Sequence, residues 1–477
     1  MKNWLIGVIT ASLFFLILGY ISYNNIIDTT YTMVQKNLTK ETGNVKENEK
    51  IWSDLKGDGK THPLKEKFKK KEDAIKSFPF LYSYLKDYPN LDWEDIEIDW
   101  VVIQNAINSA GINSQILIPK PIIGYRINRP IIIKQGQTID FSSNSKIYDY
   151  TGDYCFKIIG GAKFPQNSIT HVTLKNLDIE GSIASKGAIQ LKNAYLVNIE
   201  NVKVSKYDSY KANAIHLQDF FQINLNTVQV NNVKNGTGIY VDSVTGNSGQ
   251  LNMTNTIVQR SKVGMYISGS NNLIDGINFY GGAVGNNYSK GVVVRKNVYN
   301  LNFIGSHFEN HDGHNYSGTT AVEMELSNNT SSESINFLGC IFINNKYGIR
   351  SNNVKRVSLT GNQFDARGIK DSVAVKQGKG DGAWIINPNY FVNNGHDLLE
   401  SGKNHVNLSA VSIDSKGVFY PQNSKAGIYS GSESPEGKIV ASPGSIYLRT
   451  EESTNYYVYV KQTDKGSKGW KPLKVNN

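Results

Sequence analysis

Glu323 and Glu325 stand two residues apart in the stretch Thr320-Ala-Val-Glu-Met-Glu. On a β-strand, residues so spaced share a face and lie about 6.5 to 7 Å apart. Two carboxylates at that separation admit a water molecule between them, the arrangement of an inverting glycosidase. Just upstream, the loop Glu309-Asn-His-Asp-Gly-His-Asn-Tyr-Ser-Gly gathers His311, Asp312 and His314 in a chain with only 8 histidines. Imidazole and carboxylate are the usual general acids and bases near neutral pH. The catalytic candidates are therefore Glu323, Glu325, His311 and Asp312.

These residues meet only if the chain winds back on itself, and a repeat says that it does. A glycine-plus-aliphatic phrase returns as Gly187-Ala-Ile-Gln-Leu, Asn213-Ala-Ile-His-Leu, Gly238-Ile-Tyr-Val, Gly264-Met-Tyr-Ile, Gly291-Val-Val-Val, Thr320-Ala-Val-Glu-Met, Gly348-Ile-Arg and Ser372-Val-Ala-Val, at intervals of roughly 24 to 30 residues. That period belongs to a solenoid. A second phrase, an alternating strand ending in Asn or Gly, runs out of phase with it: Glu200-Asn-Val, Leu225-Asn-Thr-Val, Ile304-Gly-Ser, Thr360-Gly-Asn-Gln-Phe. Each coil thus holds two or three short strands, and stacking them predicts a parallel β-helix. Ile189, Leu191, Ile215, Leu217, Ile239, Val241, Met265 and Ile267 point inward, and a turn Asn in each coil bonds to the one above.

Alternation then fixes the outward side chains of the glycine phrase. One column reads Gln190, His216, Tyr240, Tyr266, Val293, Glu323, Arg350, and the next reads Lys192, Gln218, Asp242, Ser268, Arg295, Glu325, Asn352. Arg295 falls one coil below Glu325 and Arg350 one coil above Glu323, each placed to lower a carboxylate pKa or to hold an acidic sugar. Tyr240 and Tyr266 offer ring faces to sugars, and His216, Asp242 and His314 complete the substrate-binding candidates. Each has a plainer alternative: exposed Glu–Arg neighbours form cross-strand ion pairs of small value, and adjacent tyrosines form an aromatic ladder.

The composition suits this architecture. The chain has 477 residues, 39% of them hydrophobic, with 43 glycines and a formal charge of +10, which favours a polyanionic partner such as a uronic-acid polysaccharide. Part of that charge lies in Lys65, Lys67, Lys69, Lys70 and Lys71. No aromatic-interleaved basic motif accompanies these lysines, Phe68 standing alone among them, so nucleic acid is disfavoured. Cys155 and Cys340 belong to different coils, too far apart for a disulfide, and read as buried packing residues. No metal-ligand spacing is present, and without an Asp-rich cluster at one level calcium is not indicated, so no cofactor is expected.

The stretch 4–21 is apolar, uncharged and just long enough to span a bilayer. With no small-x-small cleavage site after it, it reads as an uncleaved signal anchor with an extracellular body, the other reading being a removed signal peptide. The domain plan is 1–23 anchor, 24–55 linker, 56–400 β-helix with an N-terminal cap, and 401–477 a C-terminal β-rich domain. Within the cap, Ile98-Asp-Trp-Val-Val-Ile-Gln-Asn-Ala-Ile-Asn-Ser-Ala-Gly predicts an amphipathic helix with Asp99 as N-cap and Gly111 as terminator, covering the open end of the stack.

The opening Gly57-Asp-Gly-Lys-Thr-His-Pro, that helix and the strand Gln115-Ile-Leu-Ile-Pro resemble the start of the pectate-lyase-like right-handed β-helix domain of phage tailspikes and exported polysaccharide depolymerases. Gly444-Ser-Ile-Tyr-Leu-Arg-Thr through Gly469-Trp resembles the C-terminal segment of phage tail proteins of that group. The resemblance implies a polysaccharide ligand and a homotrimer. It leaves the reaction open among hydrolase, lyase, epimerase and non-catalytic adhesin. The Asn-Thr-Asp, Asp-Asp and Gly-His-Gly set of polygalacturonases is missing, and a membrane anchor stands where tailspikes carry a virion-attachment segment. An anchored enzyme cleaving a bacterial surface or extracellular polysaccharide is the leading expectation.

Overall fold

A computed structural model of the chain describes residues 52–162, 164–310, 319–325, 333–378, 381–386, 389–400, 406–407, 427–449, 458–463 and 466–473. The anchor at 4–21 and the loop residues His311, Asp312 and His314 lie outside the described residues. Among the described residues no helix is long and apolar enough to cross a membrane.

The body is a right-handed parallel β-solenoid of about 10 turns. Each coil contributes to three parallel ladders. Ladder A carries the glycine phrase, running from Tyr154–Ile159 through Gly187, Asn213 and Lys290–Val294 to Thr320–Glu325, Tyr347–Asn352, Val373–Gln377 and His396–Glu400. Ladder B follows the first corner, with members such as Ser248–Thr254, Ile274–Tyr280, Val298–Ile304 and Glu333–Leu338. Ladder C follows the Asn or Gly turn, as in Ala283–Gly285, His307–Glu309 and Ile341–Ile343. The parallel pairing continues to Val406–Asn407, past the expected boundary at 400.

The inward residues of ladder A, Ile189 to Ile267, are all fully buried, as the alternation requires. Its glycines have a steric cause. A Cβ on Gly264 would lie 2.5 Å from the Gly291 carbonyl oxygen of the next coil, and one on Gly238 would lie 2.6 Å from that of Gly264. Ladder C fills the core with a rising pile of rings, Phe308, Phe342, Phe364 and Phe391, with centroids 4.7, 4.5 and 5.3 Å apart. Cys155 and Cys340 are buried and unpaired.

Asparagine ladders bind the coils laterally. Turn residues Asn176 and Asn201 pair at 2.8 Å. The longer ladder lies mid-strand on ladder B, where the sequence reading had not placed one: Asn224, Asn252, Asn278, Asn302 and Asn336 each donate to the Asn below, starting from Asn198, at 2.7–3.1 Å. Within the series each amide donates to the coil below and accepts from the coil above, so its side chain is satisfied along the stack.

Among the described residues four helices precede the first strand: α1 Leu64–Lys67, α2 Lys71–Ser77, α3 Phe80–Asp87 and α4 Ile98–Ser109. α4 packs on the first strands, and Gln104 imitates a neighbouring strand: its Nε2 donates to Ile132 O (3.0 Å) while its Oε1 accepts from Ile132 N–H (2.8 Å). An edge that would otherwise template further pairing is thereby covered. Asp99 is not the N-cap. That position is Glu97, without a side-chain cap bond, whereas the buried Asp99 carboxylate accepts from the backbone N–H groups of Lys56 (2.7 Å) and Arg126 (3.2 Å) and so ties the lead-in to the first coil. Lys65, Lys67, Lys69, Lys70 and Lys71 form an exposed run.

The C-terminal segment holds a four-stranded sheet of Ile428–Gly431, Ile446–Arg449, Val458–Lys461 and Trp470–Pro472, whose first pair is parallel and the others antiparallel. Tyr447, Tyr459, Trp470 and Ala441 make its small core.

Candidate functional site

The register of ladder A aligns the first outward column as the alternation demands. Gln190 pairs with His216, Tyr240 with Tyr266, Tyr266 with Val293, Val293 with Glu323, and Glu323 with Arg350. The column extends to Lys157 beside Gln190 and to Lys376 beside Arg350. In the second column Asp242 pairs with Ser268 and Glu325 with Asn352.

The side chains pair differently from their backbones. Arg295 reaches diagonally to Glu323 (3.0 Å), and Arg350 reaches to Glu325 (3.3 Å). Glu323 also takes an ion pair from Lys290, a residue the column reading missed because its backbone partner is Thr320. Glu323 is only 2% exposed. Burial pushes its carboxyl up, but hydrogen bonds from Lys290 and Arg295 outweigh that and hold it below the usual range. It is a fixed negative charge, unsuited to donating a proton. Glu325 is different, with 40% of its side chain exposed.

The tyrosines have spent their faces on each other. Tyr240 and Tyr266 stack with centroids 5.2 Å apart and planes 8° from parallel. His216 meets the other side of Tyr240 at 5.0 Å, edge to face, and the Arg295 guanidinium lies 6.0 Å from the Tyr266 centroid. What these rings turn outward is edge and phenol oxygen, so the expected face-on sugar platform is replaced by a rigid wall. Burial raises the Tyr240 hydroxyl to about 12, which keeps it protonated and a donor at neutral pH.

His216 is packed in, its Nδ1 3.3 Å from the Tyr154 hydroxyl, and burial lowers its pKa, leaving the ring neutral near pH 7. Asp242 is 8% exposed and engaged internally, accepting from Ser243 N–H (2.8 Å) and the Ser270 hydroxyl (2.5 Å). It stabilises the corner after its strand and does not line an open groove. This end of ladder A therefore brings three cations, Lys290, Arg295 and Arg350, to two carboxylates, with Lys376 beside Arg350 in register, leaving an excess of positive charge.

No family model and no curated protein sequence matches the chain. Solved structures do. The fold is that of the tailspike and pectate-lyase-like parallel β-helix proteins. The tailspike protein gp49 of Pseudomonas phage LKA1 superposes with a TM-score of 0.50 at 11% identity, over 74% of this chain and 78% of that one. The surface adhesin PfbA of Streptococcus pneumoniae gives 0.48 at 13% over 64% and 96%, and the mannuronan C-5 epimerase AlgE4 A-module of Azotobacter vinelandii 0.46 at 14% over 64% and 94%.

Proposed function

We propose that ladder A binds an acidic polysaccharide, with Arg350 and Lys376 taking its carboxylates and the phenol edges of Tyr240 and Tyr266, further along the same column, meeting the rest of the chain. The observation that supports this most is the surplus of cations over carboxylates at one end of ladder A, where Glu323 serves to fix Lys290 and Arg295 in place. Guanidinium forks match planar carboxylates in geometry as well as charge. The apolar run at 4–21 would hold this surface outside the cell as a membrane-anchored body, and the resemblance to tail proteins at the C-terminus supports a homotrimer, which sedimentation of the full chain tests.

A second reading, hydrolysis of the bound chain, is favoured by the unequal environments of the two glutamates. A buried, permanently charged Glu323 and a half-exposed Glu325 on one strand are the kind of pair whose roles separate into charge stabiliser and proton carrier. His311, Asp312 and His314 stay with this reading as candidate participants. The test is retention of the full chain on polygalacturonate and alginate, with release of reducing ends and unsaturated-uronate absorbance followed in parallel. Binding that Arg350→Ala weakens about tenfold, with a steep salt dependence, carries the first reading. Retention unaffected by Arg350→Ala and Lys376→Ala together ends it. New reducing ends lost in Glu325→Gln establish hydrolysis.

A further inference from the structure

The first corner of the coil, between ladders A and B, varies in length, and the variation opens a cleft. Where Asn193 and Asp219 make the corner the strand runs straight through, so that Gly187–Ser205 and Asn213–Asp242 are continuous. In the coil below, a long corner carries Phe164 and Pro165. Above, the corner after Asp242 carries Gly246 and Asn247. Two protruding corners with two short ones between them leave a hollow of about 620 Å³, well within the size of ligand sites.

The floor of that hollow is aromatic. Tyr195 and Phe221 are register partners in adjacent coils, half-buried, with centroids 5.7 Å apart and planes inclined by 33°. Beside Phe221 the next partner is Gly249, which adds no side chain over the ring. Phe164 forms one wall, close enough to the opposite corner that a Cβ on Gly246 would lie 2.9 Å from its ring. Unlike Tyr240 and Tyr266, these rings are not stacked in parallel against each other.

Both corners are held by buried groups. Asp219, fully buried, accepts from Val244 N–H (2.7 Å), Thr245 N–H (2.9 Å) and the Thr245 hydroxyl (2.8 Å). Gly161 N–H closes the lower corner on Asn167 O (2.6 Å), and Asn193 donates to Gly161 O. The polar lining is neutral: Thr170, Ser168, the Tyr195 phenol and Asn247, whose Oδ1 already accepts from Leu273 N–H (3.1 Å) and whose NH2 remains to donate. Among the described residues no charged side chain lines it.

An aromatic floor beneath uncharged hydroxyl and amide groups suits a ligand that is apolar on one face and hydroxylated at its rim. We propose that this cleft is a second carbohydrate site, taking neutral hexose rings and distinct from the cationic column of ladder A. The choice of carbohydrate as the class rests on the proposed function, whereas the neutrality of the ligand rests on the lining alone. A chain long enough to occupy both would be a heteropolymer of neutral and acidic sugars.

The test is affinity electrophoresis of the full chain in gels containing neutral glucan, mannan, galactan or N-acetylglucosamine polymer, set beside gels containing polygalacturonate. The expected result is retardation by at least one neutral polymer, with dissociation constants raised about tenfold or more by Phe221→Ala, raised also by the milder Asn247→Ala, and unchanged by Arg350→Ala. Retardation by polygalacturonate should show the reverse pattern. Absence of retardation in every neutral gel overturns the inference, as does neutral binding that survives both cleft variants. Neutral binding without acidic binding upholds the cleft while sinking the proposed function of ladder A. Sedimentation separates the remaining occupant: if Phe221→Ala converts an oligomer to monomer, a second copy of the chain covers the cleft and the inference fails.

Discussion

Replacing Glu323 by Gln removes one negative charge from between two cations while keeping side-chain volume. Removing one partner of a fully buried ion pair costs about 3–5 kcal/mol, because the charge left behind stays dry. Here the orphaned groups are partly wet, with 29% of the Lys290 and 26% of the Arg295 side chain exposed, and the amide oxygen still accepts one hydrogen bond. The expected loss is therefore about 2 kcal/mol. Glu325→Gln cuts a pair whose members are 40 and 41% exposed, for less than about 1 kcal/mol. Urea midpoints at unchanged slope measure both. The pH dependence follows from the direction of the shift. Because the folded pKa of Glu323 lies below its ordinary 4.5, its stabilisation is fully present above that value and is lost as pH falls through the folded pKa. The gap between parent and Glu323→Gln should hold from pH 7 to 5 and close below pH 4.5. The variant also removes the carboxylate that holds Lys290, so it should bind polygalacturonate about fivefold more tightly at low salt, a gain of about 1 kcal/mol. Equal destabilisation by the two variants would refute the view that Glu323 is a positioning charge, and unchanged or weaker binding by Glu323→Gln would refute the view that it competes with the ligand for Lys290.

Asp149 shifts the other way. Burial raises its carboxyl to about 6 from an ordinary 3.8, though the Tyr207 hydroxyl donates to it at 2.8 Å. The folded state then holds the proton more tightly than the unfolded chain, so this group's contribution falls as pH rises from about 4 to 6, by roughly 3 kcal/mol. The stability difference between parent and Asp149→Asn, taken from urea curves across that window, should change by that amount, and a flat difference would contradict it. Asn278 donates to Asn252 (3.0 Å) and accepts from Asn302 (2.9 Å), so Asn278→Ala interrupts the ladder at both bonds and should cost about 1–3 kcal/mol in the same assay. Gly264→Ala places a methyl group 2.5 Å from the Gly291 carbonyl oxygen, and should cost about 1–3 kcal/mol as the coils are forced apart.

Most of the fold was legible because the solenoid writes its register into the chain. Period-two alternation assigns each aliphatic of ladder A a side, and a steric limit, the carbonyl of the coil above, puts Gly238 and Gly264 where the next turn passes closest. Ile189 through Ile267 are buried as the pattern required. The cap was legible as a helix but not in its detail. An Asp at the second helical position looks like an N-cap in sequence, and nothing local reveals that Lys56 and Arg126, distant along the chain, bring their amides to it. The mid-strand Asn ladder escaped for a related reason: Asn is expected at turns, and only the stacking of six coils makes Asn198 to Asn336 a continuous series.

The site was legible at the level of backbone and not of side chain. Column order is a property of register, so Glu323 beside Arg350 follows from counting. The ion pairs do not follow, because an arginine side chain is longer than the spacing between coils and can choose among neighbours above, below and on the diagonal. Arg295 chose Glu323, where Lys290 had already drawn a carboxylate into a buried position, and that left Arg350 for Glu325. Desolvation decides between the choices: a buried carboxylate gains more from a second cation than an exposed one does. The same logic explains the tyrosines. Rings one coil apart satisfy their faces on each other before any ligand arrives, so an aromatic column on a β-helix offers an open ring face where a neighbouring coil supplies Gly instead of a ring, as Gly249 does beside Phe221.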